Sequence, residues 1–227
     1  MFDPVENTLH DAEAARRMPG PDYYAALAWI HAALRPAVYP EIGVLYGESL
    51  KLAMPPTVAI GVDPHVRANH RWRAPTTLYR LTSREFFARH VTPPISLALI
   101  DGVHRFEDAL ADFLDVERRA GPRAVILLHD TIPLDERTAA RVRTTEFYTG
   151  DVWKMLPYLA RCRPDLDVVT IPTAPSGLTM VRGLKESLQD DPREVAAIAN
   201  LPWKRHSEHL VTIANSQPAV QRWLLRQ

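Results

Sequence analysis

Glu41-Ile42-Gly43-Val44-Leu45-Tyr46-Gly47-Glu48-Ser49-Leu50, followed by Gly61-Val62-Asp63-Pro64, is the stretch that decides the fold. An apolar strand closes on an acidic residue, two glycines make a tight turn, and a helix is expected from about Glu48 to Met54. A second strand, Thr57 to Val62, runs into Asp63. Open parallel α/β sheets build nucleoside sites in this way, at the carboxyl ends of their strands. Gly43 and Gly47 would let backbone approach a ligand where a Cβ would collide. Asp63 would accept hydrogen bonds from a pair of ribose hydroxyls.

The glycines are four apart, at 43 and 47, so there is no triple-glycine cradle for a pyrophosphate. No Gly-Lys-Ser or Gly-Lys-Thr follows, which excludes a P-loop. The pattern points to a nucleoside without a phosphate chain, and S-adenosylmethionine fits it best. The competing reading is a plain strand–turn–helix, since glycine turns are common.

Working outward, Asp22 to Arg35 reads as a helix, with apolar positions three and four apart and Asp22 as its cap. Strands are expected at Ala37–Val44, Thr57–Val62, Thr77–Leu81, Ile95–Ile100 and Arg123–Leu128, with helices at Arg84–His90, Phe106–Ala120 and Asp151–Arg161 between or after them. Asp167–Ile171 and Leu178–Arg182 read as a hairpin about the turn 172–177. The expectation is a doubly wound, mostly parallel, seven-stranded sheet with an antiparallel edge strand at Leu178–Arg182. It forms a single domain over 1–227, with its core at about 37–183, a helical segment before it and a polar, partly helical extension after Gly183.

Composition narrows the function classes. With 27 basic and 27 acidic residues the formal net charge is zero, so the basic field that nucleic-acid binding requires is missing. No apolar run approaches membrane-spanning length, and the charged stretch Met1–Gly20 has no signal-peptide core. The single cysteine, Cys162, excludes an intrachain disulfide and fits a reducing cytoplasm. Twenty prolines gather at segment ends, as punctuation.

Strand four ends in Asp101-Gly102-Val103-His104 and strand five in His129-Asp130. Both points should face the same crevice as Gly43 and Asp63. Asp101, His129 and Asp130 offer two oxygen ligands and one nitrogen for a divalent cation. His104 stands near enough to take a proton from a hydroxyl bound there. Taken singly, each of these pieces also reads as a turn or a helix cap. Trp72, Tyr79, Tyr148 and Trp153 could line an acceptor pocket, although aromatics at such spacing more often belong to the core.

These segments, with Leu-Thr-Ser83, resemble class I S-adenosylmethionine-dependent methyltransferases, and most closely the small-molecule O-methyltransferases of the catechol type. The resemblance covers about residues 37 to 183. It implies that Glu41, Gly43 and Ser49 face the methionine half of the cofactor, Asp63 the ribose and Ser83 the adenine edge, with Gly47 and Asp101 beside the cofactor. It further implies Asp101, His129 and Asp130 at a Mg2+ or other divalent cation, and His104 as catalytic group with Asp101. Two departures stand out: His104 replaces a lysine, and His129 replaces the first acid of a pair. The expected activity is O-methylation of a hydroxyl on a sugar, polyketide or phenolic small molecule. A homo-oligomer is left open. The alternatives are a binding module of the same fold without turnover and a hydroxylase-like relative.

Overall fold

The computed structural model describes residues 3–185 and 191–226. Met1 and Phe2 of the N-terminal segment, and residues 186–190 and 227 of the C-terminal extension, lie outside the described residues.

Helix α1 (Pro4–Arg17) is capped by Asp3, and α2 (Tyr23–Leu34) by Asp22, whose carboxylate accepts the Ala25 N–H at 3.0 Å. The strands are β1 (Val38–Ile42), β2 (Val58–Val62), β3 (Thr76–Tyr79), β4 (Ile95–Ile100), β5 (Ala120–His129), β6 (Asp167–Ile171) and β7 (Leu178–Arg182). Helices α3 (Ser83–Arg89), α4 (Phe106–Glu117) and α5 (Met155–Cys162) follow β3, β4 and β5, and α6 (Pro192–Ala199) and α7 (Gln217–Leu225) close the chain. The sheet order is β3-β2-β1-β4-β5-β7-β6. The first five strands in this order are mutually parallel, and β7 runs antiparallel to both β5 and β6. The antiparallel strand expected at the edge, β7, therefore lies inside, between β5 and β6, and β6, which runs parallel to the first five strands, is outermost.

Alternation along the strands divides the core in two. Ile95, Ala98 and Ile100 of β4 join Ile126 and Leu128 of β5 beneath α3, α4 and α5, where Phe86, Phe106, Phe113 and Tyr158 are buried. Leu97, Leu99, Val125 and Leu127 face the other way, against Leu27 and Ile30 of α2 and Val220 and Trp223 of α7. The C-terminal extension also covers the outer edge of β6: Thr170 donates its N–H to Val211 and accepts from Ile213. Such cover removes an open strand edge that would otherwise template pairing with another chain.

One expected element differs. In place of a helix from Glu48 to Met54 there is a single 3-10 turn, Leu50–Leu52. Pro55 and Pro56 explain this, because a proline forces the residue before it out of the helical region. Among the described residues no helix is long and apolar enough to cross a membrane.

Candidate active site

The carboxyl ends of β1, β2, β4 and β5 meet at one crevice, and its two sides differ in chemistry. On the first side, β1 delivers Glu41 fully buried, accepting the Tyr39 hydroxyl at 2.7 Å and the Ser49 hydroxyl at 2.6 Å. Burial pushes the Glu41 carboxyl up to about 8, against the pull of those two hydroxyls. Gly43 has φ +87°, and a Cβ there would lie 1.9 Å from the Asp101 carbonyl oxygen. Gly47 has φ +77°, and its Cβ would meet the Trp72 ring at 2.8 Å. At both glycines the body that excludes a side chain is the protein itself: the end of β4 at Gly43 and the β2–β3 connection at Gly47. Asp63 accepts the Leu45 N–H at 2.8 Å and the His65 N–H at 2.6 Å, so its carboxylate pins the glycine turn. Ser83, at the first turn of α3, hydrogen-bonds to Asp112 of α4, whose carboxyl burial pushes up to about 7.

The second side is an ion-pair cluster. His104 Nδ1 lies 3.0 Å from Asp130 Oδ2 and 3.1 Å from the Tyr148 carbonyl oxygen, while its Nε2 faces Asp101 Oδ1 at 3.4 Å. His129 Nδ1 is 3.2 Å from Asp101 Oδ1 and 3.4 Å from Asp130 Oδ1. Burial alone would push both imidazoles down. For His104 the Asp130 and Asp101 carboxylates outweigh it, and for His129 Asp101 and then Asp130, so each stands at about 9. Burial would raise the Asp101 carboxyl, but His129 and His104 hold it well below the usual carboxylate range. At neutral pH the cluster is thus two imidazoliums among carboxylates. His104 (φ 60°) and Asp130 (φ 61°) are both in the left-handed region, at a cost of about 1–2 kcal/mol each. Strained side-chain-bearing residues of this kind gather at functional sites.

The residues singled out from the sequence therefore fall into two sets. Glu41 with Ser49, and Gly43, Gly47 and Asp63, come together around the turn. Asp101, His104, His129 and Asp130 come together at the ends of β4 and β5. Ser83 stands apart, paired with Asp112. The ligand atoms that lie within 4.8 Å of one another belong to Asp101, His104 and Asp130. His129, expected in that set, keeps its Nδ1 beside both acids, while its ring meets Tyr23 at 4.3 Å and Ser176 Oγ lies 3.4 Å from its Nε2. Two carboxylates and an imidazole suit a cation that accepts nitrogen, such as Mn2+ or Zn2+, better than Mg2+. Of the four aromatics, Tyr148 alone stands beside the cluster, parallel to His104 at 5.8 Å. Trp153 is core, Tyr79 packs on Phe86 and His90, and Trp72 covers Gly47.

Three contributors escaped sequence reading. Tyr23, from the first turn of α2, stacks on His129, and burial together with the Asp101 charge raises its hydroxyl pKa. Ser176, in the β6–β7 turn, donates to Asp130 Oδ1 at 2.5 Å. Asp112 lies on α4 behind Ser83. Only the polar turn 172–177 carried a visible signal, and it read simply as a hairpin.

Over the crevice lies the connection 131–150, held by α1: Ala14 and Met18 pack with Leu134 and Phe147, and Arg17 donates to the Leu134 carbonyl at 2.6 Å. Arg137 pairs with Glu6 across the same contact.

Comparison with known proteins places this geometry. Residues 26–131 match the family model described as a methyltransferase domain. Cofactor-bound Rv0187 from MTB is similar in structure with TM-score 0.56 at 17% identity, over 81% of this chain and 91% of that one. The O-methyltransferase from Bacillus cereus in complex with SAH gives TM-score 0.52 at 16% identity, over 82% of this chain and 92% of that one. An rRNA methylase from Streptococcus thermophilus gives TM-score 0.50 at 12% identity, over 74% of this chain and 99% of that one. No curated protein matches. At these identities the likeness shows the fold, and a fold by itself does not choose an acceptor.

Proposed function

We propose that this chain is an S-adenosylmethionine-dependent O-methyltransferase acting on a hydroxyl of a small molecule; the match of residues 26–131 to a methyltransferase domain supports the reading. The observation that carries the reading is the convergence of Asp101, His104, His129 and Asp130 at two strand ends, directly against the glycine turn: the Gly43 backbone abuts the Asp101 carbonyl. S-adenosylmethionine, when bound, supplies a sulfonium methyl. Asp63 and the turn it pins are the residues to hold the nucleoside. The acceptor hydroxyl would lie beside His104, beneath Tyr148 and the connection 131–150. A balanced transfer forms the acceptor O–C bond, breaks the S–C bond and sends the hydroxyl proton to a base.

In its paired state His104 is protonated at neutral pH and orients an acceptor oxygen by donating to it. It accepts a proton only once that pairing is loosened, either in an alkaline medium or when Asp101 and Asp130 give their charge to a cation. Those two residues, with or without His104, would hold the cation, which would polarise the acceptor oxygen. Most of the rate would come from alignment of the two reactants.

The test is transfer of a labelled methyl from S-adenosylmethionine to a panel of phenols, sugars and polyketides, with and without a chelator. Transfer that a chelator abolishes and Mn2+ or Mg2+ restores supports both parts. Full transfer in excess chelator removes the cation and leaves Asp101 and Asp130 as orienting groups. Cofactor binding with no transfer at any pH or metal makes the chain a binding module instead.

A further inference from the structure

A second cleft, of about 570 Å3, lies against the C-terminal half of α2, and none of Asp101, His104, His129 and Asp130 lines it. Its lower end reaches Arg35 and Thr57, which stand just before β1 and β2 and so at the amino ends of the strands. Ala28, Ala32 and Leu52 give it apolar walls. Every charged side chain in its lining is cationic: Arg35, Lys51, Arg71 and Arg73. Lys51 is paired with Glu48, which lies outside the lining, and among the described residues the Arg73 side chain has just the Met54 sulfur as partner, at 3.7 Å. Arg35 and Arg71 have no partner among the described residues.

The guanidiniums of Arg35, Arg71 and Arg73 repel each other around the cleft unless an anion joins them, and the chain as a whole carries no net charge to account for the bias. Two further observations point into the same space. His31 is 5% exposed and lines the cleft, and both its ring nitrogens lack a hydrogen-bond partner among the described residues. The ring stands edge-on to Tyr39 at 4.5 Å, and as a wall of the cleft it reports on an occupant. Burial pushes His31 down to about 4, so the ring is neutral and offers one donor and one acceptor. Arg35 ends α2 with φ 44°, a left-handed position where glycine is the usual residue.

We propose that this cleft binds a small molecule bearing a phosphate ester on an apolar or planar body. Three guanidinium forks match the several oxygens of a phosphate dianion, whereas one fork would satisfy a carboxylate. The volume lies in the range of small-molecule pockets, and the apolar wall takes the rest of the ligand.

Phenyl phosphate titrated into the full chain, with benzoate and benzyl alcohol as monoanionic and neutral controls, tests this through the imidazole NMR signals of His31. A saturable shift with phenyl phosphate, weaker with benzoate and absent with benzyl alcohol, is expected. Arg71→Ala/Arg73→Ala, made on exposed side chains, should weaken phenyl phosphate binding by at least about tenfold, or 1.4 kcal/mol. No saturable shift up to about 10 mM, equal affinity for either control, or unchanged affinity in the folded double variant overturns the proposal. Should that variant fail to fold, wild-type affinity that is the same at about 50 and about 500 mM chloride overturns it equally. Methyl transfer is not read in any arm, so this proposal stands or falls apart from the proposed function.

Discussion

The two sides of the strand-end crevice contain similar residue types and treat them in opposite ways. Around the glycine turn each polar group has a neutral partner: Glu41 takes two hydroxyls, Asp63 takes two backbone N–H groups, and Glu41 favours its protonated form. Across the crevice Asp101, His104, His129 and Asp130 have chiefly one another, as charges, on strained backbone. A group satisfied by the local chain shapes a surface. A group satisfied only by another charge can be redirected when a ligand or a cation arrives. On the proposed reading, the difference separates the side that would hold the cofactor from the side that would react.

The largest effect should come from breaking the charged side. His104→Ala is expected to lower turnover by roughly 10²–10⁴ while leaving S-adenosylmethionine affinity near normal, read by steady-state kinetics and calorimetry. An equal loss in affinity and turnover would put His104 on the holding side. Next, Gly43→Ala should break both sides at once, since its Cβ would sit 1.9 Å from the Asp101 carbonyl at a positive φ. A stability loss of about 3 kcal/mol or more in urea denaturation is expected. A loss within about 0.5 kcal/mol would mean that the two strand ends are not in contact.

Asp63→Ala should weaken S-adenosylmethionine binding by about 1–3 kcal/mol and also lower stability, because Leu45 and His65 lose their shared acceptor. Unchanged affinity would confine Asp63 to the turn. The last prediction concerns Glu41 without cofactor and reads pH dependence instead of activity. Its folded carboxyl titrates at about 8, above its ordinary 4.5, so the folded chain holds a proton that the unfolded chain has lost. Stability from this group is full below about pH 4.5 and declines as pH rises through 8. Melting temperatures of wild type and Glu41→Gln should therefore shift in the variant's favour between pH 5 and 8.5, by several degrees or more, since each pKa unit is worth about 1.4 kcal/mol. A constant difference would show that Glu41 is not held protonated.

The sheet was legible because its strands are apolar on both faces and because Asp22, Pro55-Pro56 and the 172–177 turn mark boundaries by local chemistry. The strand-end residues were legible for a topological reason, since parallel order alone sends Asp101 and Asp130 to one crevice. Their partners were not. Tyr23 reads as one apolar position in a helix, and Ser176 lies 46 residues from the Asp130 it bonds. The glycines were legible as necessary, but not the body that makes them so. Sequence reading put a ligand where the structure puts Asp101 and Trp72.

The strand order has a consequence for how the chain is made. β7, the last strand to leave the ribosome, is the one that covers the flank of β5. Until residue 182 has emerged, the nascent protein shows the apolar run Ile126–Leu128 with its backbone donors and acceptors unmatched, a template for wrong pairing. The hairpin of β6 and β7 can form locally and then dock as a unit, so the sheet is completed from inside its own margin. Stalled synthesis between His129 and Leu178 should leave fragments more aggregation-prone than the chain released after residue 182, which lacks the cover of β6 and the packing of α7.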